Sequence, residues 1–236
     1  MKKFVSVLAL FVSVNCFSKV VLIDPGHGGE EKGAVAHLNK KKINEKDLSL
    51  KLSKKIKTAL EKATTTYLTR SLDRTVSLQE RADLADLLKA DLFLSIHFNS
   101  TTNAKSHGFE LYYLDNSSNV ATKKVENAEN LNLKGEELIV NQILVDLVVQ
   151  QTASHSIELA KKVHEKVKPV IKKYKIDDRG IKPGLFYVLA LSKRPGLLVE
   201  VGFMSNPAEL KKMTDEKFMD QFAKAIADGV MSYIKK

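Results

Sequence analysis

Two histidines and two glutamates carry the chemistry that this 236-residue chain offers. His27 stands in Asp24-Pro25-Gly26-His27-Gly28-Gly29, directly after the β-branched run Val20-Val21-Leu22-Ile23. Such a run predicts a buried strand, and the proline and glycines mark its end. Glycine lets the backbone turn tightly and approach a bound group. His27 is therefore expected on a turn at a strand's C-terminal edge, where open α/β sheets bind ligands. His97 follows the apolar run Leu92 to Ile96, Glu45 opens an amphipathic stretch, and Glu200 lies inside Leu197-Leu198-Val199-Glu200-Val201-Gly202. An unpaired buried carboxylate is costly, so Glu200 requires a strong partner: a metal, an arginine or a metal-bound water.

Zinc fits these residue types. Catalytic zinc sites commonly take three nitrogen or oxygen ligands and leave a position for water. His27, Glu45 and His97 are candidates for that set, with Glu200 left as a base. The spacing is not a local motif such as H-E-x-x-H, and each residue alone has a plainer reading. Glu45 suits a helix N-terminus through the macrodipole, His97 suits a satisfied core, and His27 suits an exposed turn. All four together at strand ends and helix starts favour chemistry.

The elements that must position them alternate along the chain. Asn44 to Leu60 places Leu48, Leu52, Ile56 and Leu60 on one helical face. Thr64 to Leu68 reads as a strand, and Ser77 with Glu80 has capping-box spacing for a helix to about Lys89. Leu92 to Ile96 and Gly108 to Leu114 read as strands, the second partly exposed. Ser154 to about Lys168 reads as a helix ended or kinked at Pro169. Leu185 to Leu189 and Leu197 to Val201 read as short strands, and a helix starts near Asp215. The expected class is α/β, a mostly parallel twisted sheet of about six strands flanked by helices. Residues 115–151 interrupt it with a polar Asn/Glu/Lys-rich stretch and the apolar segment Ile139 to Val149, expected as an inserted helical element.

Composition bounds the rest. The formal charge is +10, with 44% hydrophobic residues and no tryptophan. The lysines recur along the chain without interleaved aromatics, which argues against a nucleic-acid stripe. A basic protein suits an anionic partner. Lys2-Lys3, the apolar stretch Phe4 to Val14, and small residues at Cys16 and Ser18 read as a secretory signal peptide over 1–18. An uncleaved anchor and a lipoprotein signal at Cys16 are the competing readings, the latter poorly matched because Asn15 stands where a small residue is expected. Cleavage after Ser18 removes the one cysteine and leaves no membrane span.

Longer stretches give a resemblance. Val21 to Gly29, Asn44-Glu45-Lys46-Asp47-Leu48, Thr69-Arg70, Leu78-Gln79-Glu80-Arg81, Ser95 to Asn99, Gly184 to Leu189 and Pro195 to Asn206 run in order across the chain. In these the chain resembles the zinc-dependent N-acetylmuramoyl-L-alanine amidases (amidase type 3) that hydrolyse cell walls. The resemblance implies one zinc on His27, Glu45 and His97, Glu200 as catalytic glutamate, peptidoglycan as substrate, and export to the periplasm for wall remodelling and daughter-cell separation. Arg70 and Arg81 are read as scaffold ion pairs. The resemblance also covers an insertion that in some members lies over the zinc cleft until a partner protein binds. It makes Glu126, Glu129, Glu136 and Glu137 candidates for a blocking ligand, with a solvated surface excursion as the alternative. A catalytically inert wall-binding module and a zinc peptidase of similar fold are the competing functions.

Overall fold

The computed structural model describes residues 19–116, 122–130 and 136–236, with the side chains of 136–142 outside the described set. The expected leader at 1–18 falls outside it. In chain order the elements begin β1 (Val20–Pro25), the hairpin β2 (Val35–Leu38) and β3 (Lys41–Asn44), α1 (Glu45–Leu60), β4 (Thr65–Leu68), α2 (Leu78–Leu87) and β5 (Leu92–Asn99). There follow β6 (Phe109–Leu114), α3 (Lys123–Glu129), α4 (Glu136–Tyr174), β7 (Asp178–Gly184), α5 (Tyr187–Ser192), β8 (Gly196–Phe203), α6 (Pro207–Met213) and α7 (Glu216–Ile234).

Six strands make one sheet in the order β4-β1-β5-β8-β6-β7. All pairs are parallel except β6 with β8. The chain leaves β1 for β4 on one side and then crosses to β5 on the other. Strand order therefore reverses at β1 and β5, the place where such sheets form a crevice at their C-terminal ends. Strand alternation sorts the side chains into two layers. Val21, Ile23, Leu94, Ile96, Leu111, Leu197 and Val199 pack with α1 and α7 in the larger core, while Leu22, Phe93, Tyr112 and Leu198 face the smaller core with residues of α2 and α5. By the same alternation Asp24, Ser95, His97, Glu110 and Glu200 share the face of the smaller core. There polar groups replace apolar ones toward the crevice.

Local signals acted as expected at several places. Ser77 and Glu80 form the capping box of α2, and Asp215 caps α7 through the Phe218 amide. Four expectations need correction. Leu185 to Leu189 is not a strand but the approach to α5 and its first turns. The short apolar run is ambiguous by periodicity, and the sixth strand is instead the polar segment β7. Gly108 to Leu114 is buried, because β7 covers its outer edge. The helix expected at Ser154 starts at Glu136 and runs 39 residues through Pro169. Val167 and Ile171 lie in the larger core on either side of the proline, so tertiary packing holds the helix together there. The apolar second half of the 115–151 segment is thus the start of α4, whose Val145 and Val148 join the smaller core.

Candidate functional site

His27 leaves β1 in a left-handed conformation, φ 57°. Two arginines fix that turn through its carbonyls. Arg70 donates to the Pro25 and Gly26 oxygens at 3.1 and 2.8 Å, and Arg81 to those of Pro25 and His27 at 3.1 Å each. Arg81 also pairs with buried Asp24, as expected. Arg70 departs from the ion pair expected of it, since its buried guanidinium serves backbone carbonyls. Two glycines keep the site compact. A Cβ on Gly26 would meet the His97 ring at 2.4 Å, and one on Gly33, at φ +62°, would meet Glu45 Oε2 and the His27 ring at 2.5 Å.

Glu45 is the first residue of α1 and is buried. Its Oε2 accepts from the Ala34 amide at 2.8 Å and lies 3.1 Å from His27 Nε2. Its Oε1 accepts from the Phe98 amide at 3.0 Å and faces His97 Nδ1 at 3.1 Å. The bend before β2 and the end of β5 therefore hold the carboxylate between both rings, which meet edge-on with centroids 5.0 Å apart. Glu129, the last residue of α3, adds Oε2 at 3.0 Å from His97 Nδ1 and 3.7 Å from His27 Nε2. One ligand atom from each of the four residues falls within 4.8 Å of all the others. His27 Nε2 is buried and makes no hydrogen bond among the described residues. A buried ring nitrogen that faces carboxylate oxygens in this way fits a divalent cation at the common centre.

Charge follows this geometry. Burial pushes the Glu45 carboxyl up, but the His27 and His97 imidazoles outweigh it and hold the group well below the usual carboxylate range. Burial lowers His97, yet Glu129 and Glu45 raise it far above an ordinary histidine. His27 is raised in the same way, burial opposing and Glu45 prevailing. Glu200 is the reverse case. It sits on β8 in register with His97 on one side and Glu110 on the other. Neither of its buried oxygens has a hydrogen-bond partner among the described residues. Burial, then Glu129, push its carboxyl well up, with His97 opposing.

Comparison with known proteins bears on what this site belongs to. A family model described as N-acetylmuramoyl-L-alanine amidase matches residues 21–232. The chain belongs to the N-acetylmuramoyl-L-alanine amidase family. It is 33% identical over 225 residues to AmiA of Escherichia coli K12, covering 91% of this chain and 76% of AmiA. A crystal structure of an N-acetylmuramoyl-L-alanine amidase from Clostridium difficile 630 matches with TM-score 0.70 and 31% identity over 93% of this chain and 98% of that one. The CwlD amidase of Clostridioides difficile, solved in complex with the GerS lipoprotein, matches with TM-score 0.70 and 26% identity over 92% and 98%.

In this amidase α3 lies across the mouth of the site, and its anchorage sorts the insert's glutamates. Glu126 does not reach the cluster. Its Oε1 accepts from the Leu185 amide at 2.9 Å and from the Thr122 hydroxyl at 3.1 Å. Asn130 donates to the Leu185 carbonyl at 2.6 Å and accepts from the Tyr187 amide at 3.0 Å. That clasp turns Glu129 toward the histidines. The side chains of Glu136 and Glu137 lie outside the described residues. Beside the cluster a cavity of about 430 Å³ remains between α3 and the Gly33-Ala34 and Phe98 to Thr101 walls. The other histidines stay apart: His37 is exposed on β2, His107 pairs with Asp177, His155 meets the Tyr233 hydroxyl, and His164 meets Asp178. Glu110 went unnoticed in the sequence, although a charge in Phe-Glu-Leu-Tyr-Tyr-Leu is the same signal that singled out Glu200.

Proposed function

We propose that this amidase uses one zinc ion, held by His27, Glu45 and His97, to hydrolyse the amide between the lactyl group of N-acetylmuramic acid and L-alanine in peptidoglycan. The observation that carries the reading is the buried Glu200 carboxylate, without a hydrogen-bond partner among the described residues and one strand from three converging donors. A bound zinc supplies Lewis acidity for the scissile carbonyl and favours water as a nucleophile near neutral pH. Glu200 takes the proton from the attacking water and delivers it to the departing alanine nitrogen, so the C–N bond breaks to a carboxylate and a free amine. Burial suits Glu200 to holding that proton between the two steps. Asp24, Arg70 and Arg81 hold the His27 turn, and the Phe98 and Ala34 amides fix Glu45.

Glu129 Oε2, 3.0 Å from His97 Nδ1 and 3.7 Å from His27 Nε2, supports the reading that the insert supplies a blocking ligand to the site. Relief would come from a partner protein acting on the 115–151 segment. The relatives' wall-directed names and the basic charge support an exported, periplasmic enzyme with residues 1–18 as its leader. Among the described residues no helix is long and apolar enough to cross a membrane.

The test is zinc content and soluble peptide release from purified peptidoglycan, for the natural chain and Glu200→Gln. We expect one zinc per chain in both and a loss of at least about a hundredfold in turnover for the variant, the scale of general acid–base catalysis. Near-normal turnover by Glu200→Gln would remove Glu200 from the mechanism. An active natural chain that binds no zinc would remove the metal.

A further inference from the structure

The row of functional groups does not stop at Glu200. On the next strand, in register with it, Glu110 is 1% exposed. Like charges facing each other across neighbouring strands are normally avoided, so Glu110 needs strong neutralisation. It receives two cations from β7. Arg179 Nε lies 2.6 Å and Lys182 Nζ 2.5 Å from Glu110 Oε1. Burial raises the Glu110 carboxyl, but Lys182 and then Arg179 outweigh it and keep the group ionised.

An irregularity in the sheet makes this possible. Phe109 pairs with Asp178 but Leu111 pairs with Ile181, so β7 carries one extra residue opposite Glu110. Such a bulge re-aims side chains. Gly180, at φ +80°, takes the extra place. Without it, residues three apart would face opposite sides of a strand; with it, both cations reach the same carboxylate.

We infer that Arg179 and Lys182 form a subsite for a carboxylate on the peptide part of the substrate. Two cations on one buried carboxylate leave a net positive charge at the end of the row His27, His97, Glu200, Glu110. Glu110 holds Arg179 through Nε, and Nη1 lies 3.4 Å from the His107 carbonyl. Among the described residues Arg179 Nη2 makes no hydrogen bond, and the Arg179 side chain is 42% exposed, so that edge can meet an anion. The Phe203 ring supports it at 5.2 Å, and the Tyr112 ring lies 5.9 Å from the Lys182 ammonium. Strands lie about 4.8 Å apart, so β7 is roughly 10 Å from the strand of Glu200, and both cations reach back toward it. A peptide extends about 3.5 Å per residue. A carboxylate on the residue after L-alanine therefore falls within their reach when the scissile amide is beside Glu200.

This rests on the amidase reading. The test uses two soluble substrates, N-acetylmuramoyl-L-alanyl-D-glutamate and its diamide, with zinc-loaded full-length chains carrying Glu129→Ala to open the site. We expect the dicarboxylate to be preferred by at least about tenfold in kcat/KM, mostly through KM, as one charge-assisted hydrogen bond allows. In Arg179→Gln, and separately in Lys182→Met, the ratio between the two substrates should fall toward one, whatever happens to the absolute rates. A purely structural role in holding Glu110 would slow both substrates alike and leave the ratio intact. Equal use of both substrates by the parent chain, or a full preference retained in both variants, overturns the subsite. Failure to cut either substrate overturns the amidase reading instead.

Discussion

Asp24 anchors the turn that carries His27. Its carboxylate accepts from Thr69 and Ser95 hydroxyls at 2.6 and 2.8 Å and pairs with Arg81, which in turn grips the Pro25 and His27 carbonyls. Burial pushes the Asp24 carboxyl up, but Arg81 and the two hydroxyls outweigh it and hold the group low. A depressed carboxyl contributes stability above its unfolded range, and that contribution is lost as pH falls through the folded value. The melting temperature of the natural chain should therefore fall as pH drops below about 4. Asp24→Asn should lower stability at neutral pH by about 3–5 kcal/mol, because Arg81 is left unpaired, and should flatten the acid slope. Equal slopes for the two chains would contradict this. The sequence made His27, Glu45, His97 and Glu200 legible because glycine turns, strand ends and a charge in an apolar run mark them locally. Arg179 was not legible in this way, because pairing it with Glu110 needs a strand register and a bulge that no local pattern encodes.

Element-scale reading succeeded where hydrophobic period was strong and failed where packing overrode it. The β1 and β5 runs, α1 and the capping box of α2 could be read directly. The hairpin β2–β3 could not, being short and polar, although the bend that leads into it supplies the Ala34 amide that holds Glu45. Four insert glutamates looked alike in sequence; what separates Glu129 from Glu126 is the clasp between α3 and residues 185–187. Glu126 and Asn130 make three hydrogen bonds to that backbone. If α3 restrains the enzyme, Glu126→Ala with Asn130→Ala should raise basal peptide release at least about tenfold, given about 0.5–1.5 kcal/mol for each bond. The melting temperature should change little, since α3 adds only Val125 to the packing of the smaller core. Unchanged release from a folded double variant would show that the clasp does not control access.

At the scale of the whole molecule, the candidate zinc ligands come from three separate elements: the turn after β1, the start of α1, and β5. An ion there ties together segments far apart in the chain. It does not, however, supply the core. Two apolar clusters, one on each face of the sheet, are already closed without it. This differs from small zinc domains, in which metal binding is itself the folding free energy. The chelated chain should therefore stay folded, keep its far-ultraviolet circular dichroism, and unfold in one cooperative step. It should do so at a lower temperature, because a ligand that binds only the native state adds about 4.1 kcal/mol when present at a thousand times its Kd. For a chain of this size each kcal/mol moves the midpoint by about 2–4 °C. Zinc at that excess should thus raise the melting temperature by roughly 8–16 °C over the chelated chain. His97→Ala should remove most of that rise. Two results would count against the shared site: a chelated chain that has lost its secondary structure, or a His97→Ala chain that zinc stabilises as strongly as the natural one.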